Sequence, residues 1–417
     1  MSVTPRTFVG FGFGPIQAGL FLYEAFRAGN FDRLVVAEVS PGLVDAVRRS
    51  GGVYTLNIAG ASGVRTARIT SVEVLNPTVP ADAAALARAL ADASEICTAL
   101  PSVAFFTKGS PSTVDLLRSA LRAKLADTSL PACVVYAAEN HNHAAELLQE
   151  ACEAGLTPAE RSRARERVQF LNTVIGKMSG ITTDPTQMAA EGLEPLVQGV
   201  PKAFLVEEFN RILITRVSLP GFQRGIPVFV EKEDLLPFEE AKLYGHNAVH
   251  ALLGYLAARR GYEFMSQVAD DATLMGVGRR AFTRESGPAL CLRRPGCDDL
   301  FTPAGYQAYA ADLLARMTNP FLRDRIDRVI RDTPRKLGWE DRLVGTMRLG
   351  LDAGIEPRRF ALGVAAALET VPPEPDTAAL LASFWHAADE PAGRRTQLVE
   401  MVLAARDSLE KEDYGEL

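Results

Sequence analysis

Apolar and polar positions fall into two regimes along the 417-residue chain. Up to about residue 218, short apolar runs of strand length alternate with stretches of helical period, the pattern of a parallel α/β sheet. Thr7-Phe8-Val9-Gly10-Phe11 reads as the first strand, followed by a glycine-rich turn and a helical run from Leu20 to Gly29. Arg33 to Glu38, Glu95 to Leu100, Ala132 to Ala138 and Val168 to Ile175 read as further strands. Helices are expected at Ala83–Ala93, Thr113–Leu125 and the charged run Glu160–Glu166, with mixed strand and helix signal over Pro201–Val217. Pro220-Gly221 and Gly225-Ile226-Pro227 punctuate the chain, and a domain boundary is placed there, giving 1–218 and 219–417. Beyond it the 3.6-residue period dominates: Glu239–Leu252, Ala304–Met317, Arg323–Arg331, Leu343–Leu351, Phe360–Leu368, Ala378–His386 and Gln397–Lys411, the last running into an acidic tail. Val371–Pro375 reads as a loop. The fold class is therefore α/β, an N-terminal Rossmann-like domain around a parallel sheet followed by a mostly α-helical C-terminal domain.

Composition narrows the function. With 47% hydrophobic and 23% charged residues, the chain can build two cores. A net charge of −6 and no long basic block argue against nucleic acid as a partner. No leader pattern and no apolar run of membrane-spanning length are visible, so a soluble cytoplasmic protein acting on small molecules, off the membrane, is expected. Its oligomeric state leaves no mark. The five cysteines form no C-x-x-C and are expected to be reduced.

The turn Gly12-Phe13-Gly14-Pro15-Ile16-Gln17-Ala18-Gly19 lies between a strand and a helix, the context a dinucleotide fingerprint requires. Gly12 would permit the tight turn, and Gly14 the approach of backbone to a pyrophosphate at the helix N-terminus. Gln17 stands where the third glycine usually falls, and Gly19 is available for close packing. Glu38 ends the second strand about twenty residues on, where a carboxylate would bind the ribose hydroxyls and repel a 2′-phosphate, favouring NAD. Thr98 and Ala99 end the next strand and are expected beside the cofactor. The cluster Glu139-Asn140-His141-Asn142-His143 follows another strand end. Its H-x-H has no cysteine or third histidine near it in sequence, and zinc needs three or four ligands, so no metal is expected.

Glu239–Leu252 carries Lys242, Asn247 and His250. On an ideal helix His246, Asn247 and His250 lie within about 140° of Lys242. One helix could then present an amine, an amide and an imidazole to one pocket, which suits proton abstraction from an alcohol. The plain alternative is a polar stripe facing water.

With the glycine turn, Glu38, Glu139-Asn140 and Lys242-x4-Asn247-x2-His250 in order, the chain resembles the polyol-specific long-chain dehydrogenases. The similarity is strongest at KLYGHNAVHALLGYL and from Asn319-Pro320-Phe321-Leu322 to Asp341-Arg342-Leu343. The resemblance implies NAD-dependent interconversion of a polyol and a ketose. It carries the catalytic base onto Lys242, the oxyanion amides onto Asn140 and Asn247, and a substrate-orienting histidine onto His250. Burial would lower the lysine from its usual pKa of about 10.4, and Glu239, one turn earlier, could exchange protons with solvent. Arg335-Lys336-Leu337 points to a phosphorylated substrate of the mannitol 1-phosphate and fructose 6-phosphate type, with Arg335 and Lys336 as anion anchors. A free hexitol or hexuronate-derived polyol, and a non-catalytic NAD sensor, are the alternatives. Gly176-Lys177 stands where members of the family usually carry aspartate and arginine.

Overall fold

The computed structural model describes residues 6–374, 376–385, 392–411 and 414. Pro375 of the expected loop, His386 and the acidic tail beyond Lys411 (Tyr414 apart) lie outside them. The chain forms two compact units, Met1–Leu235 and Leu236–Leu417. The first unit thus extends past the expected boundary at 218. The glycines and prolines of 220–227 turn the chain back into the sheet, where Val230–Lys232 pairs with Leu213–Thr215 and Phe229 packs on Phe21 and Tyr136.

Strands of the first unit are β1 (Thr7–Phe11), β2 (Arg33–Ala37), β3 (Tyr54–Ala59), β4 (Val64–Ile69), β5 (Val72–Leu75) and β6 (Ala93–Thr98). They continue with β7 (Cys133–Ala137), β8 (Val168–Val174), β9 (Ser179–Thr182), β10 (Ala203–Glu207), β11 (Leu213–Thr215) and β12 (Val230–Lys232). The main sheet has the order β12-β11-β8-β7-β6-β1-β2-β5. From β8 to β5 every neighbour is parallel, whereas β11 joins β8 antiparallel. The order reverses between β1 and β6, and the crevice at the carboxyl ends of those two strands is where such sheets bind ligands. A second sheet, β4-β3-β10-β9, packs beside it.

Two-residue alternation explains the layers. Phe8, Leu34, Val36, Val134 and Tyr136 enter one core cluster, while Val9, Phe11, Val35, Val135 and Ala137 enter the other. Both faces are covered, so these strands read as continuous apolar runs. Lys124 is buried on the second face, yet its ammonium donates to the carbonyls of Ala91, Ala93 and Pro131 at 2.7–2.8 Å, which accounts for a cation in that core.

The second unit is helical. Its centre is the helix Ala248–Arg259, buried along almost all its length from Ala248 to Ala257. Neighbouring helices come close where glycine removes a side chain: a Cβ on Gly254 would meet Val329 at 2.6 Å, and one on Gly363 would meet Leu252 at 2.8 Å. Among the described residues no helix is long and apolar enough to cross a membrane.

Candidate active site

In the first unit the expected glycine turn joins β1 to a helix beginning at Pro15. Gly12 has φ +83°, and a Cβ there would sit 3.0 Å from Ala99 O, so the turn is tight against the end of β6. Gly14 is different: no described atom lies within 4 Å of where its Cβ would be. That open position gives a phosphate access to the backbone. Pro15 has no N–H, and Ala18 N donates to Gly14 O at 2.8 Å, so the amides of Ile16 and Gln17 belong to the first-turn donors that anions use. Glu38 follows β2 and is half-buried, accepting a hydrogen bond from Ser40 N at 2.8 Å. These residues fit a dinucleotide.

The third-glycine substitution is accommodated from below. The Gln17 side chain is fully buried over β1, and a Cβ on Gly10 would lie 2.0 Å from its amide nitrogen. Gln17 therefore fits because β1 carries glycine beneath it. Gly19 supplies close packing, but towards β10, where a Cβ would meet Val206 at 2.6 Å. The helix widens into a π turn over Gln17–Phe21.

Thr98 and Ala99 lie at the switch point. Ala99 N donates to Phe11 O at 3.1 Å, but the buried Thr98 hydroxyl is engaged by Glu139 at 2.9 Å. Glu139 also accepts from Leu100 N at 2.8 Å and is itself buried, which raises its pKa. It clamps the ends of β6 and β7 together. Asn140 is the next residue and is exposed. His141 and His143 are exposed too, with His143 N donating to His141 Nδ1 at 3.1 Å. Among the described residues no group of His, Cys, Asp and Glu is disposed to hold a metal. Lys177, in the departure after β8, is turned inward and donates to Phe209 O at 2.9 Å.

In the second unit the segment bearing Lys242, Asn247 and His250 is helical but not uniformly α. Leu236–Glu240 is α-helix, Ala241–Asn247 is a π turn, and α-helix resumes at Ala248. The π turn changes the geometry expected from sequence. Its i→i+5 bonding brings Lys242 and Asn247 from about 140° apart to within a few tens of degrees, roughly in line along the axis. Burial lowers Lys242 to about 8, opposed by the Glu239 carboxylate and assisted by the Arg342 guanidinium. His246 is buried and held well below the usual imidazole range, first by burial and then by His250 and the cations around it. Its ring centroid lies 6.2 Å from that of His250.

Sequence reasoning missed His250's partner. Its Nε2 lies 3.0 Å from Asp324 Oδ2, a close charge contact at too oblique an angle for a straight hydrogen bond. Asp324 is buried, and its other oxygen accepts from Arg328 Nε and Nη2 at 2.9 and 2.6 Å. Arg335 and Lys336 are adjacent in sequence but differently placed. Arg335 is half-exposed and held by Asp332 and Asp341. Lys336 is 3% exposed, and burial followed by Arg342 and Arg335 lowers it to about 8.

Residues 234–414 match the mannitol dehydrogenase C-terminal domain. Mannitol-1-phosphate 5-dehydrogenase of Halalkalibacterium halodurans is 30% identical over 233 residues, a stretch covering 56% of this chain and 57% of that protein. The same enzyme of Brevibacillus brevis is 28% identical over 367 residues, covering 88% of this chain and 86% of that protein. Two solved structures share the fold. A D-sorbitol dehydrogenase superposes with TM-score 0.76 at 16% identity, covering 98% of this chain and 94% of that one. Pseudomonas fluorescens mannitol 2-dehydrogenase, in a ternary complex with NAD and D-mannitol, superposes with TM-score 0.70 at 19% identity, covering 99% and 93%. Residues 234–414 thus match the C-terminal domain of the mannitol dehydrogenases, the chain is similar in sequence to mannitol-1-phosphate 5-dehydrogenases, and it shares the fold of two polyol dehydrogenases.

Proposed function

We propose that the protein is an NAD-dependent polyol dehydrogenase that interconverts a sugar-alcohol phosphate and a ketose phosphate. The observation that carries this reading is Lys242: a desolvated amine with a pKa of about 8, on a π turn that aligns it with Asn247. When bound, NAD supplies the hydride acceptor. Lys242 Nζ takes the proton of the substrate hydroxyl, and the side-chain amides of Asn140 and Asn247 donate to the resulting alkoxide oxygen. His250 orients a neighbouring hydroxyl. Glu239, whose charge acts on Lys242, passes the proton on towards solvent. The names of the relatives support mannitol 1-phosphate and fructose 6-phosphate as the substrate pair, and the buried cation Lys336 supports a substrate anion.

NADH oxidation by the purified protein with fructose 6-phosphate, run beside free fructose and a hexuronate, tests this. Turnover is expected with the phosphate. Turnover confined to an unphosphorylated ketose would retain the lysine chemistry and remove the phosphate. NADH binding with no turnover on any of the three would favour a sensor.

Glu38 sets the cofactor. Glu38→Ala is expected to weaken NAD⁺ about tenfold or more, as for a charge-assisted hydrogen bond of roughly 1.5–3 kcal/mol, and to relax rejection of NADP⁺. Titration of both cofactors measures this, and an unaltered preference would count against the ribose assignment.

A further inference from the structure

The cations around Lys336 are not equivalent. Arg335 lines an outer groove of about 750 Å³ with Pro334, Trp339, Asp341 and Phe384. Its guanidinium is half-exposed and already engages two carboxylates, Asp332 through Nε and Asp341 at 3.1 Å through Nη1. Such a group has little charge left to offer a ligand.

Arg342 is placed otherwise. Its side chain is 16% exposed, and Asp341 Oδ1 takes only its Nε, at 2.8 Å. Among the described residues its two terminal nitrogens have no acceptor. Lys336 likewise has no acceptor for its ammonium among the described residues, although it is 3% exposed. Neither the Lys336 ammonium nor the terminal nitrogens of Arg342 are sealed from solvent, so a partly desolvated pair of cations without protein acceptors can be joined by an anion. Asp341 spans the two arginines, one oxygen on each, and so fixes the guanidinium of Arg342 by its inner edge.

The helix that follows Arg342 packs directly on the catalytic segment. Thr346 Oγ1 donates to Tyr244 O at 3.3 Å, and also to Arg342 O within its own turn. A Cβ on Gly345 would lie 2.8 Å from the Tyr244 ring. Arg342 lies in the turn just before this helix, one turn ahead of Thr346, and so sits next to the segment that carries Lys242 and Tyr244. The electrostatics agree: Arg342 acts on Lys242, His246, Tyr255 and Lys336, whereas Arg335 acts on only Tyr255 and Lys336 of these.

We propose that Arg342, with Lys336, forms the subsite for the substrate's phosphate, and that Arg342 is the residue by which this chain selects a phosphorylated over a free polyol. Two terminal N–H edges of a guanidinium match two phosphate oxygens, and Lys336 adds a point charge. The proposal rests on the polyol-dehydrogenase reading, but its binding test does not depend on turnover.

The experiment compares wild type, Arg342→Ala, Arg342→Lys and Arg335→Ala. It reads KM for fructose 6-phosphate with NADH, the inhibition constant of inorganic phosphate, and the calorimetric affinity for fructose 6-phosphate. Arg342→Ala is expected to weaken all three together by about 30- to 100-fold, with Arg342→Lys recovering part of the loss. Arg335→Ala should cost only a few-fold. The reverse ranking, or an Arg342→Ala affinity within twofold of wild type, overturns the assignment. Wild-type enzyme that turns over free fructose but neither binds nor reduces fructose 6-phosphate overturns it too, with the lysine chemistry intact. If no ketose is reduced but fructose 6-phosphate binds and Arg342→Ala abolishes that binding, the subsite stands and the catalytic reading fails.

Discussion

Lys242→Ala is expected to lower kcat in both directions by about 10²- to 10⁴-fold, the range for loss of a positioned general base, with the affinity for NADH near that of wild type. The sign of the accompanying pH dependence is fixed by the lowered pKa. Oxidation needs the neutral amine, so its kcat/KM should fall about tenfold per unit below pH 8 and level off above it. Reduction needs the ammonium and should decline above pH 8. Both limbs should vanish in Lys242→Ala. Lys242→Met separates chemistry from folding. The folded-state pKa lies below the unfolded one, so burial disfavours the charged amine. This cost is fully present below pH 8 and gone above about 10.5. The methionine variant should therefore be inactive and yet melt at or above the wild-type temperature at neutral pH. An active Lys242→Met, or an oxidation rate indifferent to pH between 6 and 9, would remove Lys242 from the role of base.

The alternation of apolar runs and helical periods was enough to read β1, β2, β6, β7 and β8, because strands buried on both faces are marked by nearly unbroken apolar residues. Of the second sheet only β10, inside the apolar stretch Pro201–Val217, left a strand signal, and its outer strands were not legible. In β4, Val-Arg-Thr-Ala-Arg-Ile, only Ile69 is buried, and β9 is four residues long with none buried. Neither carries the burial that writes a strand into sequence. The domain limit was misplaced for a related reason: turn residues mark a bend but not which body the chain bends towards. At the site, residue types and spacings pointed to Gly12, Gly14, Glu38, Lys242, Asn247 and His250. The π turn that brings Lys242 and Asn247 into line has no signature in the apolar pattern, whose helical period runs through it. Asp324 sits in a charged run, Arg323-Asp324-Arg325, and Arg342 in another, Glu340-Asp341-Arg342. Which members of such runs turn inward depends on partners far away in sequence.

Asp324→Asn is expected to lower kcat/KM about 10- to 100-fold, equivalent to losing one charge-assisted contact of roughly 1.5–3 kcal/mol, without a matching loss of NADH affinity. The Asp324 carboxylate lies 3.0 Å from His250 Nε2, and its negative charge favours the tautomer with the proton on that nitrogen, which would leave Nδ1 as the acceptor for a substrate hydroxyl. An amide in its place can turn its NH₂ towards the ring and favour the opposite tautomer. Asp324 also stands below the ordinary carboxylate range: burial pushes it up, but His250 and Arg328 more than offset this. It therefore remains an anion through the working pH. Because it is buried, a purely structural loss must be told apart from lost orientation. The cycle of Asp324→Asn, His250→Ala and the double variant does so. If Asp324 acts through His250, the double variant should be no slower than His250→Ala alone. Fully additive losses, or a fall in melting temperature that tracks the fall in activity, would make Asp324 a support of the fold with no part in orienting substrate.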